Sequence, residues 1–333
     1  MNHLPEIQKA LFQQIKEKLP PNIYFVHEIS EVLGISDDST RRRIRGEKAL
    51  SFEELYKLST RFGISIDSLF NVQSRNVIFN CHAVEAEKFQ VREWLNVILK
   101  DLKRVHAAKE KNIIYAAKDP PFFHYFQFPE IAWFKVFFWQ KTLFQFPEFE
   151  EKQFRIDDAD PDIERIGKHV LAVSTKIPTI EIWNEDTFRI MLRQIEFYWV
   201  SGFFAKKDDL LNLCDKTEKW IKHIQKQAEY GFKYIYGEQP DGIENSFQLY
   251  QNEVVLNDNT ILVNVNGTTM VYLTFNVLSL LITTNPFFCN FVERYMNGLL
   301  RKSNLISHTG AKERNRFFNK ILHSIDEFKC RVD

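Results

Sequence analysis

The amino-acid sequence predicts a mainly α protein of the α+β class. A helical N-terminal domain precedes a large, mostly helical domain that contains a small antiparallel sheet. The 333 residues include only 11 Gly and 11 Pro, and this scarcity favours long helices over loop-rich β architecture. Apolar residues recur at helical spacing along most of the chain. Towards the C-terminus, Asn266-Gly267 separates the apolar segments TILVNV and TTMVYLTF, a pattern typical of a β-hairpin.

Residues 5–70 predict five short helices that are separated by stop signals. Pro20 ends the first helix, Gly34 the second, Gly46 the third and Gly63 the fourth. Ser36 is an N-cap for the third helix, and Ser51 forms a capping box with Glu54 for the fourth. A last helical turn covers residues 65–70. Five helices of this length make a complete small domain, which we assign to residues 1–72.

The second domain is predicted to cover residues 76–333, after a linker over 71–80. Its predicted helices cover 83–108, 185–203, 207–230 and 311–328, and a further helix begins at Asp160-Pro161, because Pro suits the first helical position. Its predicted strands are one segment over 112–118 and a three-stranded antiparallel meander over 246–275, which includes the Asn-Gly hairpin.

The charge of the chain is balanced, with 44 Lys and Arg against 44 Asp and Glu. Binding of nucleic acid would therefore need a local basic patch. The four cysteines form no C-x-x-C pair, which disfavours a disulfide framework or a zinc site and predicts a reduced, cytoplasmic protein. Residues 259–292 carry no charge, but their densest apolar part is too short to span a bilayer, so no membrane partner is expected.

The segment 25–70 reads FVHEISEVLGISDDSTRRRIRGEKALSFEELYKLSTRFGISIDSLF. It resembles the helix-turn-helix domains of bacterial transcriptional regulators of the lambda-repressor (Xre) class. The matching features are Ile29, Leu33-Gly34-Ile35-Ser36 at the turn, Gly46, Leu55, Leu58, and the closing Gly63-Ile64-Ser65 with Leu69-Phe70. The resemblance implies a five-helix fold whose recognition helix, over 37–46, enters the DNA major groove. One departure is Arg43, which stands where the family usually has an apolar residue.

A basic cluster coincides with that helix. Its five cations within eight residues are Arg41, Arg42, Arg43, Arg45 and Lys48, against the single anion Glu47. Guanidinium groups bind phosphate or bridge the O6 and N7 atoms of guanine. We expect Asp38, Ser39 and Arg42 to face base edges, and Arg41, Arg45 and Lys48 to meet phosphate. Arg43 is also predicted to contact DNA. The alternatives are a solvated charge run and a helix-turn-helix that binds protein.

The second biased segment is an aromatic block over residues 122–149. Its aromatic residues are too many for one helix face, so the segment is expected to be buried on more than one side. It is interpreted as core or as a dimer contact. The alternative is a pocket for a small apolar or aromatic effector, with the candidate lining Phe123, His124, Tyr125, Gln127, Trp133 and Phe137. His124 is expected to be a packed, hydrogen-bonded residue and not a metal ligand.

Together these features predict a DNA-binding transcriptional regulator that acts on double-stranded DNA as a homodimer. The C-terminal domain would provide dimerisation and effector sensing. The sequence contains no Gly-rich phosphate loop, nucleophile elbow or H-E-x-x-H motif, so no cofactor, catalytic residue or metal site is predicted. Two other classes remain open: an antitoxin-like protein-interaction adaptor, and an enzyme with a DNA-targeting head.

Overall fold

The computed structural model describes residues 4–20, 23–66, 69, 77–84, 89–254, 256 and 258–332. The chain divides into two compact units, Met1–Ile78 and Phe79–Asp333, close to the predicted boundary. The predicted last turn over 65–70 lies partly outside the described residues. So does most of the predicted linker, and Asn80 at its end begins a strand.

The N-terminal unit is helical. Its described helices are α1 (Leu4–Lys18), α2 (Phe25–Leu33), α3 (Asp37–Ile44) and α4 (Phe52–Phe62). Helices α2 and α4 end at Gly34 and Gly63, which adopt the left-handed φ values of 65° and 59° that glycine tolerates best. The predicted capping box between Ser51 and Glu54 is confirmed. The core of this unit consists of Leu11, Phe12, Ile15, Ile29, Leu33, Leu58, Ile64 and Leu69.

The C-terminal unit contains long helices on an extended sheet. Its described α-helices are α5 (Val91–Ala107), α6 (Pro129–Phe138), α7 (Pro161–Ser174), α8 (Glu185–Val200), α9 (Lys207–Tyr230), α10 (Pro286–Arg301) and α11 (Ala311–Val332). A 3-10 helix covers Phe122–Gln127, and a π-helical turn, Trp139–Leu143, follows α6. The predicted start at Asp160-Pro161 is confirmed, because the Asp160 side chain caps α7. The helix predicted over 83–108 begins at Val91.

The sheet has eight strands in the described part of the chain. They are β1 (Asn80–His82), β2 (Lys111–Ala117), β3 (Thr179–Trp183), β4 (Phe247–Gln251), β5 (Thr260–Val265), β6 (Thr268–Phe275), β7 (Ser279–Thr283) and β8 (Asn304–Leu305). Their order is β1-β7-β6-β5-β2-β3-β4-β8. Strands β2, β3 and β4 are parallel, and the other pairs are antiparallel.

The prediction of a small antiparallel sheet is therefore wrong in size and in topology. The meander consists of β5, β6 and β7, whereas β4 pairs in parallel with β3. Local pattern could not reveal the β3–β4 pairing, because two helices separate these strands in sequence. The hairpin itself is confirmed: Asn266 and Gly267 both have positive φ, 47° and 80°, as a type I′ turn requires.

The two faces of the sheet bury different sets of residues. Ile113, Tyr115 and Ala117 of β2 face the main core, which includes the aromatic block. The alternate residues Ile114 and Ala116 face a smaller core that α10 covers. Every residue from Ile131 to Phe138 is buried, so the prediction that the block is buried on more than one side is confirmed. None of the described helices is both long and apolar enough to cross a membrane.

Candidate nucleic-acid interface

Helices α2 and α3 are joined by the three residues Gly34, Ile35 and Ser36. The Gly34 N–H donates to the Glu31 carbonyl at 3.3 Å, and the Ile35 N–H donates to the Ser30 carbonyl at 3.2 Å. The Ser36 hydroxyl then accepts the N–H of Ser39 and starts α3. The sequence thus ends one helix and begins the next within a single tight turn.

The inner face of α3 carries Thr40 and Arg43, which are both buried. The Arg43 guanidinium donates to both carboxylate oxygens of Glu54, with Nε–Oε2 at 3.0 Å and Nη2–Oε1 at 2.6 Å. It also donates to the Ser39 carbonyl at 3.1 Å. The expectation that Arg43 contacts DNA is therefore corrected, because three hydrogen bonds hold its charged group inside the unit.

Glu54 joins this ion pair to the start of α4. The Ser51 N–H donates to Glu54 Oε2 at 2.9 Å, while the Glu54 N–H donates to the Ser51 hydroxyl at 3.1 Å. Burial by itself would raise the pKa of Glu54, but the hydrogen bonds from Arg43 and Ser51 outweigh it and lower that pKa. The carboxylate is thus held ionised opposite the Arg43 guanidinium.

The outer face of α3 and the turn that follows expose the remaining cations of the cluster. Arg41, Arg42, Arg45 and Lys48 are exposed, as is Asp38, whereas Ser39 is half-buried beside Ser36. Arg45 donates to both carboxylate oxygens of Glu47, at 2.6 and 3.0 Å. Arg41 donates to the Tyr24 hydroxyl at 3.1 Å. These partners orient the arginines without covering them.

Gln8 of α1 fixes the far end of α3, a role that was not predicted from the sequence. Its side-chain amide donates to the carbonyls of Arg43 and Lys48, at 2.6 and 2.8 Å. Its side-chain oxygen accepts the N–H of Leu50 at 3.0 Å. The three contacts hold the turn that carries Lys48. No local pattern marks this role, since the partners lie at least 35 residues away in the sequence.

The six residues predicted to line an effector pocket do not surround one cavity. Phe123 and Tyr125 line an apolar cavity between α5 and the sheet. The other four are core residues. His124 Nε2 lies 3.1 Å from both carboxylate oxygens of the buried Glu181, as expected for a hydrogen-bonded histidine.

The remaining three have core partners of their own. Gln127 donates to the Tyr234 carbonyl at 2.9 Å, and Trp133 donates to the Arg155 carbonyl at 2.9 Å. Phe137 packs edge-on against Phe149 and Phe154. The predicted set is therefore corrected to its two cavity-lining members, because hydrogen bonds and ring contacts fix the other side chains in the core.

Two arrangements thus stand out in the described part of the chain. One is an exposed basic face on α3, and the other is an apolar cavity in the C-terminal unit. No protein-family model matches this chain, and no curated protein or solved structure matches it.

Proposed function

We propose that the protein is a sequence-specific DNA-binding transcriptional regulator that places α3 in the major groove. The observation that carries the proposal is the division of the basic cluster. Arg43 is buried and forms an ion pair with Glu54. The outer side of α3 and the turn that follows it expose the other four cations, Arg41, Arg42, Arg45 and Lys48. The chain is neutral as a whole, so this local patch supplies the attraction to phosphate.

The exposed residues divide into two roles. Asp38, Ser39 and Arg42 lie on the side of α3 that would meet base edges, where arginine bridges guanine and aspartate accepts from cytosine N4. Arg41, Arg45 and Lys48 would contact phosphate. The exposed ion pair between Arg45 and Glu47 competes only weakly with phosphate for the Arg45 guanidinium, because exposed ion pairs contribute little free energy in water. Phosphate can therefore replace Glu47 as the partner of Arg45.

The test is the salt dependence of duplex binding, measured by fluorescence anisotropy. Arg41→Ala or Arg45→Ala should weaken binding to every sequence and flatten the log–log salt slope by about 0.9. Arg42→Ala should instead relax base preference, at a cost of about 1–3 kcal/mol. Lys57→Ala is the matched control, because Lys57 is an exposed cation on α4 that pairs with Glu53. A triple alanine variant at 41, 42 and 45 that binds like the parent would overturn the proposal.

A regulator of this kind acts as a homodimer on two half-sites about 34–36 Å apart. The aromatic rings of the block are buried or half-buried, so they leave little surface for a dimer contact. Exposed aromatic residues instead form a row on the outer face of α10. They are Phe287, Phe291 and Tyr295, with exposed fractions of 61%, 54% and 49%. Gly298 continues the row, and open space surrounds its Cβ position.

In an antiparallel pair of α10 helices, the aromatic rings of one helix would fit the open space at Gly298 of the other. Such a surface is complementary to itself, as a two-fold symmetric interface requires. We therefore assign the dimer contact to this row. Phe291→Asp should convert a dimer into a monomer in sedimentation velocity at micromolar concentration. Val200→Asp is the control, since Val200 is exposed on α8. A parent protein that is already monomeric would contradict the assignment.

A further inference from the structure

An apolar cavity of about 140 Å³ lies between α5 and the face of the sheet that carries Tyr115. Trp94 and Ile98 line it from α5, Ile113 and Val263 line it from the sheet, and Phe123 closes one end. The exposed residues Asp101 and Val277 mark its opening to solvent. A cavity of this size and lining holds a molecule such as benzene.

The Tyr115 hydroxyl is the distinctive polar group of the cavity. The side chain is 95% buried, since its exposed fraction is 5%. Among the described residues, no group forms a hydrogen bond with this hydroxyl. Burial, together with the charges of Asp119 and Glu181, raises the pKa of Tyr115. The hydroxyl therefore keeps its proton and can donate one hydrogen bond to a molecule in the cavity.

The other polar groups near Tyr115 already have hydrogen-bond partners. Tyr125 donates to Asp119 Oδ1 at 2.7 Å, and Lys135 donates to Asp119 Oδ2 at 3.2 Å. Asn259 accepts the backbone N–H groups of Lys118 and Asp119 through its side-chain oxygen. Asp119 also places negative charge next to Tyr115. Because Lys135 is already paired with Asp119, it offers no free cation to an anionic ligand, which would meet the full cost of leaving water.

The opening of the cavity contains a strained residue. Val277 has a φ of 75°, a left-handed value that a β-branched side chain rarely adopts. It lies in the turn between β6 and β7, directly before the lining residue Leu278. Strain of this kind concentrates where structures hold ligands.

We infer that this cavity binds one neutral, mainly apolar molecule of about the size of a substituted benzene, which accepts a hydrogen bond from Tyr115. The fit rests on the volume, the apolar lining and the unmet hydroxyl. Binding does not depend on the proposed DNA-binding function. Only a role for the molecule as an effector rests on that function, since a ligand changes DNA binding only through different affinities for two states of the protein.

The test compares two probes of the same shape on the full chain by ligand-observed NMR titration. Acetophenone has a carbonyl oxygen where α-methylstyrene has a methylene group. Tyr115→Phe should weaken acetophenone binding about fivefold, the value of one neutral hydrogen bond, and change α-methylstyrene binding by less than about twofold. Benzoate should bind the parent more weakly than acetophenone does.

A pair of tryptophan variants locates the binding. Ile98→Trp should fill the cavity and abolish binding of both probes. Val97→Trp should not, because the adjacent Val97 is exposed on α5. The inference is overturned if neither probe binds at about 1 mM, if Tyr115→Phe binds acetophenone like the parent, or if Ile98→Trp still binds. Duplex titration of the same samples is a separate readout, so the DNA-binding proposal can fail while probe binding succeeds.

Discussion

The basic cluster over 41–48 and the aromatic block over 122–149 are the two most biased segments of the chain, and the structure treats them differently. Of the five predicted DNA-contacting cations of the basic cluster, only Arg43 is buried. Of the six predicted pocket residues, Phe123 and Tyr125 line the apolar cavity between α5 and the sheet, and the other four do not. Local composition thus correctly predicted exposure for four of the five cations in the first segment, but a shared cavity for only two of the six residues in the second.

The difference follows from the cost of burial. An ionised side chain stays in water unless a partner compensates it, so exposure is the default for a run of arginines. Aromatic side chains are buried by default, and a sequence does not show which of them border a void. The exposure of the basic cluster could therefore be predicted from its own residues, whereas the cavity depends on how α5 and four strands pack around it.

The largest expected difference lies between two neighbouring arginines of α3. Arg43→Ala should destabilise the N-terminal unit by about 2–3 kcal/mol, because it leaves the half-buried Glu54 carboxylate without its two hydrogen bonds from the guanidinium. Arg42→Ala should change stability by less than about 0.5 kcal/mol, since Arg42 is exposed. Urea unfolding followed by the methyl resonances of Leu11 and Ile29 reports on this unit alone. Equal losses in the two variants would refute the division of the cluster.

The second expected effect separates core from cavity inside the aromatic block. Phe137→Ala should cost about 3–5 kcal/mol, as for a well-packed phenylalanine, and Phe123→Ala should cost about 1–2 kcal/mol less, because Phe123 already borders a void. Both side chains are almost fully buried, so burial alone predicts no difference. Urea unfolding monitored by tryptophan fluorescence measures the C-terminal unit, which contains all six tryptophans. Equal costs would indicate that Phe123 is packed like the rest of the core.

The limits of sequence reasoning in the fold have the same origin. The bounds of α2 and α9 and the starts of α3 and α7 were predictable, because caps and apolar spacing are local. Helix α3 ends at Ile44, two residues before the predicted end at Gly46. The hairpin at Asn266-Gly267 was predictable for the same reason. Strand β3 was missed, and β4 was placed in the wrong meander, because their pairing joins residues such as Thr179 and Phe247. Only the tertiary structure shows that contact.

In the site, the same limit applies to Arg43 and Gln8. The departure of Arg43 from the family pattern was visible in the sequence, but its partner Glu54 was already assigned to a capping box. The structure shows that the Glu54 carboxylate accepts hydrogen bonds both from Arg43 and from the capping-box N–H of Ser51. Gln8 gave no signal, because its contacts are to backbone groups at least 35 residues away. Residues that act on distant backbone leave no local pattern.

The smallest expected effect concerns pH, and it tests whether the pair of Arg43 and Glu54 replaces an apolar contact. The folded state lowers the pKa of Glu54 below its ordinary value of 4.5. The ionised carboxylate therefore stabilises the fold above that value, and this contribution is lost as the pH falls through the folded-state pKa.

The double variant Arg43→Met, Glu54→Gln keeps a capping residue at 54 and supplies an apolar side chain at 43. It should remain folded, since such replacements of buried ion pairs are often neutral. Between pH 5 and pH 3 the variant should lose less stability than the parent, as measured by urea unfolding of the Leu11 and Ile29 methyl resonances. An identical decline in both proteins would show that other carboxylates cause the acid sensitivity and that the buried pair contributes nothing to it.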